Sequence, residues 1–288
     1  MATALTDAFD ALVNSDKMPR MTRVAPPLEH LAPFEKLAVR TMDFLQRRAR
    51  GMTELWLREV SARWMTLGSQ HMVRPVGLER LAGLRHTDGI LLVSNHRSFF
   101  DLYMLTVQMH RYTELRQPVL CPVRADFFYR RPLGMAVNLV VGGGRMFPPF
   151  FREPEKNEFN KWAVEHIAQE LRQGEVVVGF HPEGRRNKNE DPYQPLPAQP
   201  GVGKIVMEAW PIIVPAFING LTNDFIGDLR GNFDGSRKVV AVFGEPVDTA
   251  PYRKLGNRLS SHKRIADDLL GKIYALSDEE KAFRAAWR

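Results

Sequence analysis

Two polar clusters carry the residue types for acyl or proton transfer. The first is Ser94-Asn95-His96-Arg97-Ser98-Phe99-Phe100-Asp101, fed directly by the apolar run Ile90-Leu91-Leu92-Val93. A neutral imidazole at His96 can take a proton from a hydroxyl as that hydroxyl attacks a carbonyl carbon. Asp101 can fix the tautomer of the ring and stabilise the imidazolium that forms. Residues five apart do not stack on one face of a regular helix. The pair can therefore meet only if His96 lies in a strand-to-helix turn and Asp101 in the first helical turn. The same letters also fit a capping box, with Ser98 as N-cap and Asp101 three residues on, which needs no catalytic role. Both readings hold at once if capping fixes the carboxylate that orients His96.

The second cluster follows the apolar run Val176-Val177-Val178-Gly179-Phe180 and reads His181-Pro182-Glu183-Gly184-Arg185-Arg186. Gly184 permits a backbone conformation other residues resist and lets a ligand approach closely. Glu183 can bind an acceptor hydroxyl or organise nearby donors. Arg185 and Arg186 offer forked donors that suit phosphate. His181 reads as a polar strand terminus, with a second acid/base role as the alternative. A bland reading of the whole cluster is a solvated turn.

Between the two lies Gly142-Gly143-Gly144-Arg145, then Met146-Phe147-Pro148-Pro149-Phe150-Phe151-Arg152. A glycine run can cradle phosphate through backbone N–H groups, although this one fits neither a Walker A nor a dinucleotide fingerprint. Arg145 or Arg152 can add a phosphate contact, and the aromatic and proline residues can line an acyl groove or simply pack. Pro211-Ile212-Ile213-Val214-Pro215-Ala216 reads as a buried strand whose Pro215 marks an end or a bulge. Cys121 sits among apolar neighbours and reads as a buried, inert thiol.

The elements that must position these groups alternate. Apolar runs at 73–78, 90–93, 119–123, 176–180, 212–218 and 239–243 read as strands, with helical stretches between several of them. This predicts an α/β fold: a mixed, largely parallel sheet flanked by helices. Ahead of it an N-terminal amphipathic helical hairpin is expected. Leu37, Thr41, Phe44 and Leu45 share one face, as do Met52, Leu55, Trp56, Val60, Trp64 and Leu67, with a break at Gly51. That element either packs on the core or lies on an anionic membrane. The expected divisions are a loosely ordered leader over 1–27, the helical element over 28–72 and the α/β domain over 73–288. Residues 187–200 read as a surface loop.

The 288 residues carry 40 Lys plus Arg against 33 Asp plus Glu, a net +7. That surplus favours anionic partners without choosing among them. The arginines are dispersed and no nucleic-acid module is present, so no nucleic-acid partner is expected. No secretory signal is visible, and no stretch reaches the roughly 18 apolar residues of a membrane-spanning helix. A cytoplasmic, peripheral protein is the expectation.

Taken together, these blocks resemble the glycerophospholipid acyltransferase family, which contains bacterial 1-acylglycerol-3-phosphate acyltransferases. Asn95 to Asp101 matches its His-four-residues-Asp block. Phe180 to Arg186 is similar to its Phe-Pro-Glu-Gly-Thr-Arg block, with His181 additional and Arg185 in place of threonine. Pro211 to Ala216 resembles its apolar block ending in Val-Pro, and Gly144 to Arg152 loosely resembles the block that carries an acceptor-binding arginine. The similarity spans roughly residues 73–245. It implies transfer of a fatty acyl group from acyl-CoA or acyl-carrier protein to a lysolipid hydroxyl, 1-acylglycerol-3-phosphate foremost. It assigns His96 as base and Asp101 as its partner, with Glu183, Gly184 and Arg186 holding the acceptor. Arg185, Arg145 and Arg152 are further phosphate-binding candidates. It implies no metal and no bound cofactor, and N-terminal helices resting on the inner face of the membrane. The alternatives are a different lipid or glycolipid acceptor, a thioesterase, or a non-catalytic lipid-binding scaffold.

Overall fold

The computed structural model describes residues 24–287. The expected leader lies outside the described residues apart from residues 24–27.

The expected alternation is present. Strands β1 (Val73–Val76), β2 (Gly89–Ser94), β3 (Val119–Leu120), β6 (Val176–Phe180), β7 (Ile212–Asn219) and β8 (Val239–Phe243) form a six-stranded sheet in the order β1-β8-β7-β2-β6-β3. Pairing is parallel throughout except between β7 and β8. The run at 119–123 divides rather than forming one strand. After Cys121 and Pro122 the chain enters β4 (Val123–Arg124), which pairs with β5 (Pro149–Phe150) as a separate two-stranded sheet. Pro215 neither ends β7 nor bulges it. It lies opposite Val93 of β2, one residue before pairing with β8 on the other edge begins at Ala216, and its carbonyl accepts from the Gly244 amide. A missing N–H is tolerated there because the β8 ladder begins only at the next residue.

Side chains alternate across the central strands, so each strand feeds two cores. Leu91, Val93, Val178 and Ile213 face one helical layer, whereas Ile90, Leu92, Val177 and Val214 face the other. The chain order of helices is α1 (Pro33–Arg48), α2 (Arg50–Trp56), α3 (Ala62–Ser69), α4 (Asp101–Tyr112), α5 (Ala125–Phe128), α6 (Pro132–Val140), α7 (Asn157–Gln173), α8 (Gly201–Ala209), α9 (Phe225–Asp234), α10 (Ala250–Arg253), α11 (Leu259–Ala275) and α12 (Ser277–Ala286). α1, α7, α8 and α11 cover the first face. α3 and α4 cover the second.

The N-terminal element departs from expectation in two ways. Its break falls at Ala49 (φ −124°, ψ 23°), not at Gly51, and Ala49 alone joins α1 to α2. A π-helical turn, Leu57–Ser61, then links α2 to α3. Most of the apolar stripes are also turned outward, although Leu45 and Trp64 pack against the core. α1 buries Glu35, Ala38, Val39, Met42 and Gln46, while Leu37 and Phe44 are exposed. Further along, Thr53, Ser61, Met65 and Ser69 are buried, while Met52, Leu55, Trp56, Val60 and Leu67 are exposed. Glu35 and Gln46 on the inner face are matched there. Glu35 receives Lys156 at 2.7 Å and Arg130 at 2.9 Å, fastening α1 to the body of the molecule.

Candidate active site

The parallel register builds the site. Val93 of β2 lies opposite Phe180 of β6, so the residues that follow, Ser94 and His181, are neighbours at the carboxyl edge of the sheet. This edge is where open α/β folds expose functional side chains. His181 Nδ1 lies 3.2 Å from Ser94 Oγ and 3.1 Å from the Ser94 carbonyl oxygen. Asn95 is buried and clamps β7 by a reciprocal pair with the Ile218 amide and carbonyl, both 2.8 Å. The turn carrying His96 is thereby held rigidly to its neighbours.

Asp101 opens α4 and is 1% exposed. One oxygen, Oδ2, accepts from the amides of Arg97 (2.7 Å) and Ser98 (2.8 Å) and lies 3.1 Å from His96 Nδ1. Capping and orientation thus share one carboxylate. The helix starts at Asp101 itself, two residues later than a Ser98-capped helix would. A carboxylate facing Nδ1 places the ring hydrogen there and leaves the Nε2 lone pair available. The His96 side chain keeps 20% of its surface exposed, enough for a substrate atom to reach it. Burial, then the nearby Arg186 charge, pulls the His96 imidazole down to about 3, so the ring is neutral at pH 7. Burial lifts Asp101 to about 6, opposed by its amide hydrogen bonds, so it is mostly ionised at the same pH. A neutral ring with an anionic partner is the pairing that general-base work requires.

The second cluster is brought to the first. The Asn187 amide donates to the His96 carbonyl oxygen at 2.6 Å, closing the 181–187 turn over the His96 turn. Gly184 has φ +66°, and a Cβ there would lie 2.9 Å from the Gln199 side chain, so glycine is required on both counts. Glu183 is buried. Its Oε1 accepts from the Tyr274 hydroxyl at 2.6 Å, and its Oε2 has no partner. Burial pushes this carboxyl up to about 7, with the Tyr274 bond opposing and Asp101 among the charges that reinforce the rise. Arg186 is exposed and donates to Asn223 Oδ1 at 2.6 Å, where Asn223 also receives the Phe99 amide at 3.3 Å. Arg185 is exposed on the same turn.

His181 is the residue that sequence reading undervalued. Its ring lies on that of His96, centroids 3.8 Å apart and planes 9° from parallel. Burial, and then His96, hold it down to about 3, so two neutral imidazoles are stacked. His96, Asp101 and His181 each bring a ligand-type atom within 4.8 Å of the others. Parallel rings direct their in-plane lone pairs along separate planes, however, and both Nδ1 atoms are already engaged. The arrangement suits proton transfer better than cation binding.

The remaining predicted residues are not brought here. Arg145 is buried, donating to Gln46 Oε1 at 2.7 Å and Glu54 Oε1 at 3.0 Å, and none of its bonds reaches His96 or Arg186. The glycines before it do not cradle a ligand. The amides of Gly142 and Gly144 donate to the carbonyls of Val137 and Asn138, closing the carboxyl end of α6. Arg152 is exposed and lies 3.5 Å from Asp126. Met146 and Phe147 are fully buried and pack the core. Cys121 is buried and its thiol is pushed up to about 12, as an inert thiol should be.

Residues 75–219 match the Acyltransferase family. A crystal structure of the 1-acyl-sn-glycerophosphate (LPA) acyltransferase PlsC from Thermotoga maritima is similar in fold. It has a TM-score of 0.52 and 15% identity, over 86% of this chain and 88% of that one. No curated protein sequence matches the chain significantly.

Proposed function

Because the chain belongs to the Acyltransferase family, we propose that it moves a fatty acyl group from a thioester, acyl-CoA or acyl-carrier protein, to the hydroxyl of a lysolipid. 1-Acylglycerol-3-phosphate is the leading acceptor. The observation that carries this reading is the His96 ring, tied through Nδ1 to an ionised Asp101 and partly open beside Arg186.

In the proposed step His96 Nε2 takes the acceptor hydroxyl proton while the oxygen attacks the thioester carbonyl. The C–O bond forms, the C–S bond breaks, and the imidazolium returns its proton to the departing thiolate. Asp101 stabilises the imidazolium between those events. Arg186 and Arg185 offer positive charge to an acceptor phosphate, and Glu183, with one carboxyl oxygen unpartnered, offers a hydrogen-bonding site to its glycerol.

The outward apolar face of α1 to α3 supports contact with an anionic membrane, where the acceptor resides. Arg40, Arg47, Arg48 and Arg58 lie on the same element. No helix among the described residues is long and apolar enough to cross a membrane. We place the protein peripherally at the cytoplasmic face.

The test is acceptor-dependent release of free thiol from acyl-CoA or acyl-carrier protein. His96→Ala is expected to slow it by about a hundredfold to ten-thousandfold. Thiol release that ignores the acceptor, or that survives His96→Ala, overturns the proposal.

A further inference from the structure

A cavity of about 630 Å³ lies between α4 and the wall made by α2, the π-helical turn and α3. Tyr103, Thr106, Val107 and His110 line it, one face of α4 by their spacing. That face extends the cavity about 10 Å along the helix. None of His96, Asp101, His181, Glu183 and Arg186 lines it.

Two features set this cavity apart from a plain hydrocarbon slot. The first is unpartnered polarity. Ser61 Oγ, Tyr103 OH, His110 Nε2, Gln117 Oε1 and Arg145 Nε are buried with no hydrogen-bond partner, and all belong to lining residues. Ser61, Gln117 and Arg145 are 2%, 3% and 4% exposed. Buried polar atoms are rarely left so, and several around one void call for a polar ligand. A saturated chain would leave each of them unmatched. The second feature is charge: Arg58, Arg63, Arg111, Arg116 and Arg145 line the space with Glu54 as the acidic lining residue, and Glu59, outside the lining, pairs with Arg58 and Arg63. Between these groups the wall is hydrocarbon, with Leu55, Leu57, Met65, Val107 and Val119 contributing. Leu55 and Leu67 line the cavity and are also 46% and 59% exposed, so it communicates with the outward apolar face of the N-terminal helices.

We propose that this cavity is a second lipid site, distinct from the His96 centre, that takes a single-chain amphiphile with an anionic head. The tail lies along the Leu55–Met65–Val107 wall. The carboxylate or phosphate meets the arginines, and hydroxyl or carbonyl oxygens near the head satisfy the orphaned Ser61, Tyr103 and Arg145 atoms. This assignment needs no acyl transfer at His96. An occupant wedged between α4 and the N-terminal helices would couple the lipid supply to the helix that begins at Asp101.

The experiment measures binding, not turnover. Palmitate, an ether analogue of lysophosphatidate and the matching neutral alkylglycerol are titrated below micelle-forming concentrations into the full chain, wild type and His96→Ala. Native mass spectrometry reads the bound complex. One equivalent of an anionic probe is expected to bind both proteins at least tenfold more tightly than the neutral one. The ratio of palmitate to the phosphate analogue identifies the head chemistry. Ala62→Trp, which fills the cavity from a half-buried position, is expected to abolish that equivalent. Arg111→Ala with Arg116→Ala, both at exposed sites, is expected to erase the preference for anions. Equal binding of the neutral probe in wild type, or an anionic equivalent unchanged in both folded variants, overturns the proposal.

Discussion

Asp101→Asn separates the chemical role of the carboxylate from its capping role. The asparagine side-chain oxygen can occupy the Oδ2 position and still accept from the Arg97 and Ser98 amides, so the turn survives. What disappears is negative charge beside the imidazolium that forms on His96. Unit charges about 4 Å apart at an effective dielectric near 20 interact by about 4 kcal/mol. A retained neutral hydrogen bond returns about 1 kcal/mol. The net loss of about 3 kcal/mol converts to a fall in kcat of about a hundredfold or somewhat more. The effect on folding has the opposite sign. Burial raises the folded carboxyl from 3.8 to about 6, so the folded state binds the extra proton and stability declines as pH climbs through that window. A neutral amide escapes that penalty at pH 7, and the melting temperature should equal or exceed that of wild type. Thiol release with saturating acceptor, alongside a thermal melt, measures both. Activity within threefold of wild type in a folded variant would refute the role given to Asp101.

The stacked histidine offers a second perturbation. His181 is held at about 3 in the fold against an ordinary 6.5, so the unfolded chain binds its proton first and this group costs stability as pH falls through that interval. His181→Phe removes the cost. Its urea-unfolding free energy should improve relative to wild type by about 1.4 kcal/mol per pH unit below 6.5, or about 2 kcal/mol between pH 7 and pH 5; a difference independent of pH would contradict the buried, neutral assignment. For the proposed membrane contact, Phe44→Asp with Met52→Asp changes two side chains that are 58% and 65% exposed. Each contributes roughly 1.5 kcal/mol or more of apolar burial if it enters a bilayer. Co-sedimentation with anionic phospholipid vesicles should therefore weaken about a hundredfold, and unchanged sedimentation would remove this face from the membrane.

What the sequence revealed, and what it withheld, follows from the range of the interactions. His96 and Asp101 were legible because a strand-to-helix turn places them within one local segment, where residue type and spacing fix geometry. Glu183 and Arg186 were legible one step further out, since parallel strands deliver both turns to the same edge of the sheet. The His96–His181 stack was not legible, because it depends on Val93 lying opposite Phe180 and not one residue away. Tyr274 and Asn223 escaped for the same reason: one comes from α11, the other from the loop before α9, and neither carries a local signature. Arg145 misled because a glycine run that can cradle phosphate can equally close a helix, and only the carbonyls of Val137 and Asn138 decide between these.

The N-terminal helices illustrate the deepest of these limits. Periodicity identifies an apolar stripe but says nothing about what the stripe faces. Here most of the polar residues that share the inner face with Ala38, Val39 and Met42 have specific partners, Ser61 Oγ being an exception. Glu35 meets Lys156 and Arg130, Gln46 meets Gly144 and Arg145, and Asn232 from α9 receives the His71 and Met72 amides just beyond α3. With the inward positions taken by these pairs and by Ala38, Val39, Met42 and Met65, the side chains of Leu37, Phe44, Met52 and Leu67 are left to the outside. Buried polar groups must be partnered to be tolerated, whereas exposed apolar ones need only an occasional apolar neighbour. The element is therefore anchored by Ala38, Val39, Met42 and Met65 in the core together with these polar pairs, and it offers a second apolar face to the outside. One apolar stripe thus holds the element to the body of the molecule while the other stays free for an apolar partner.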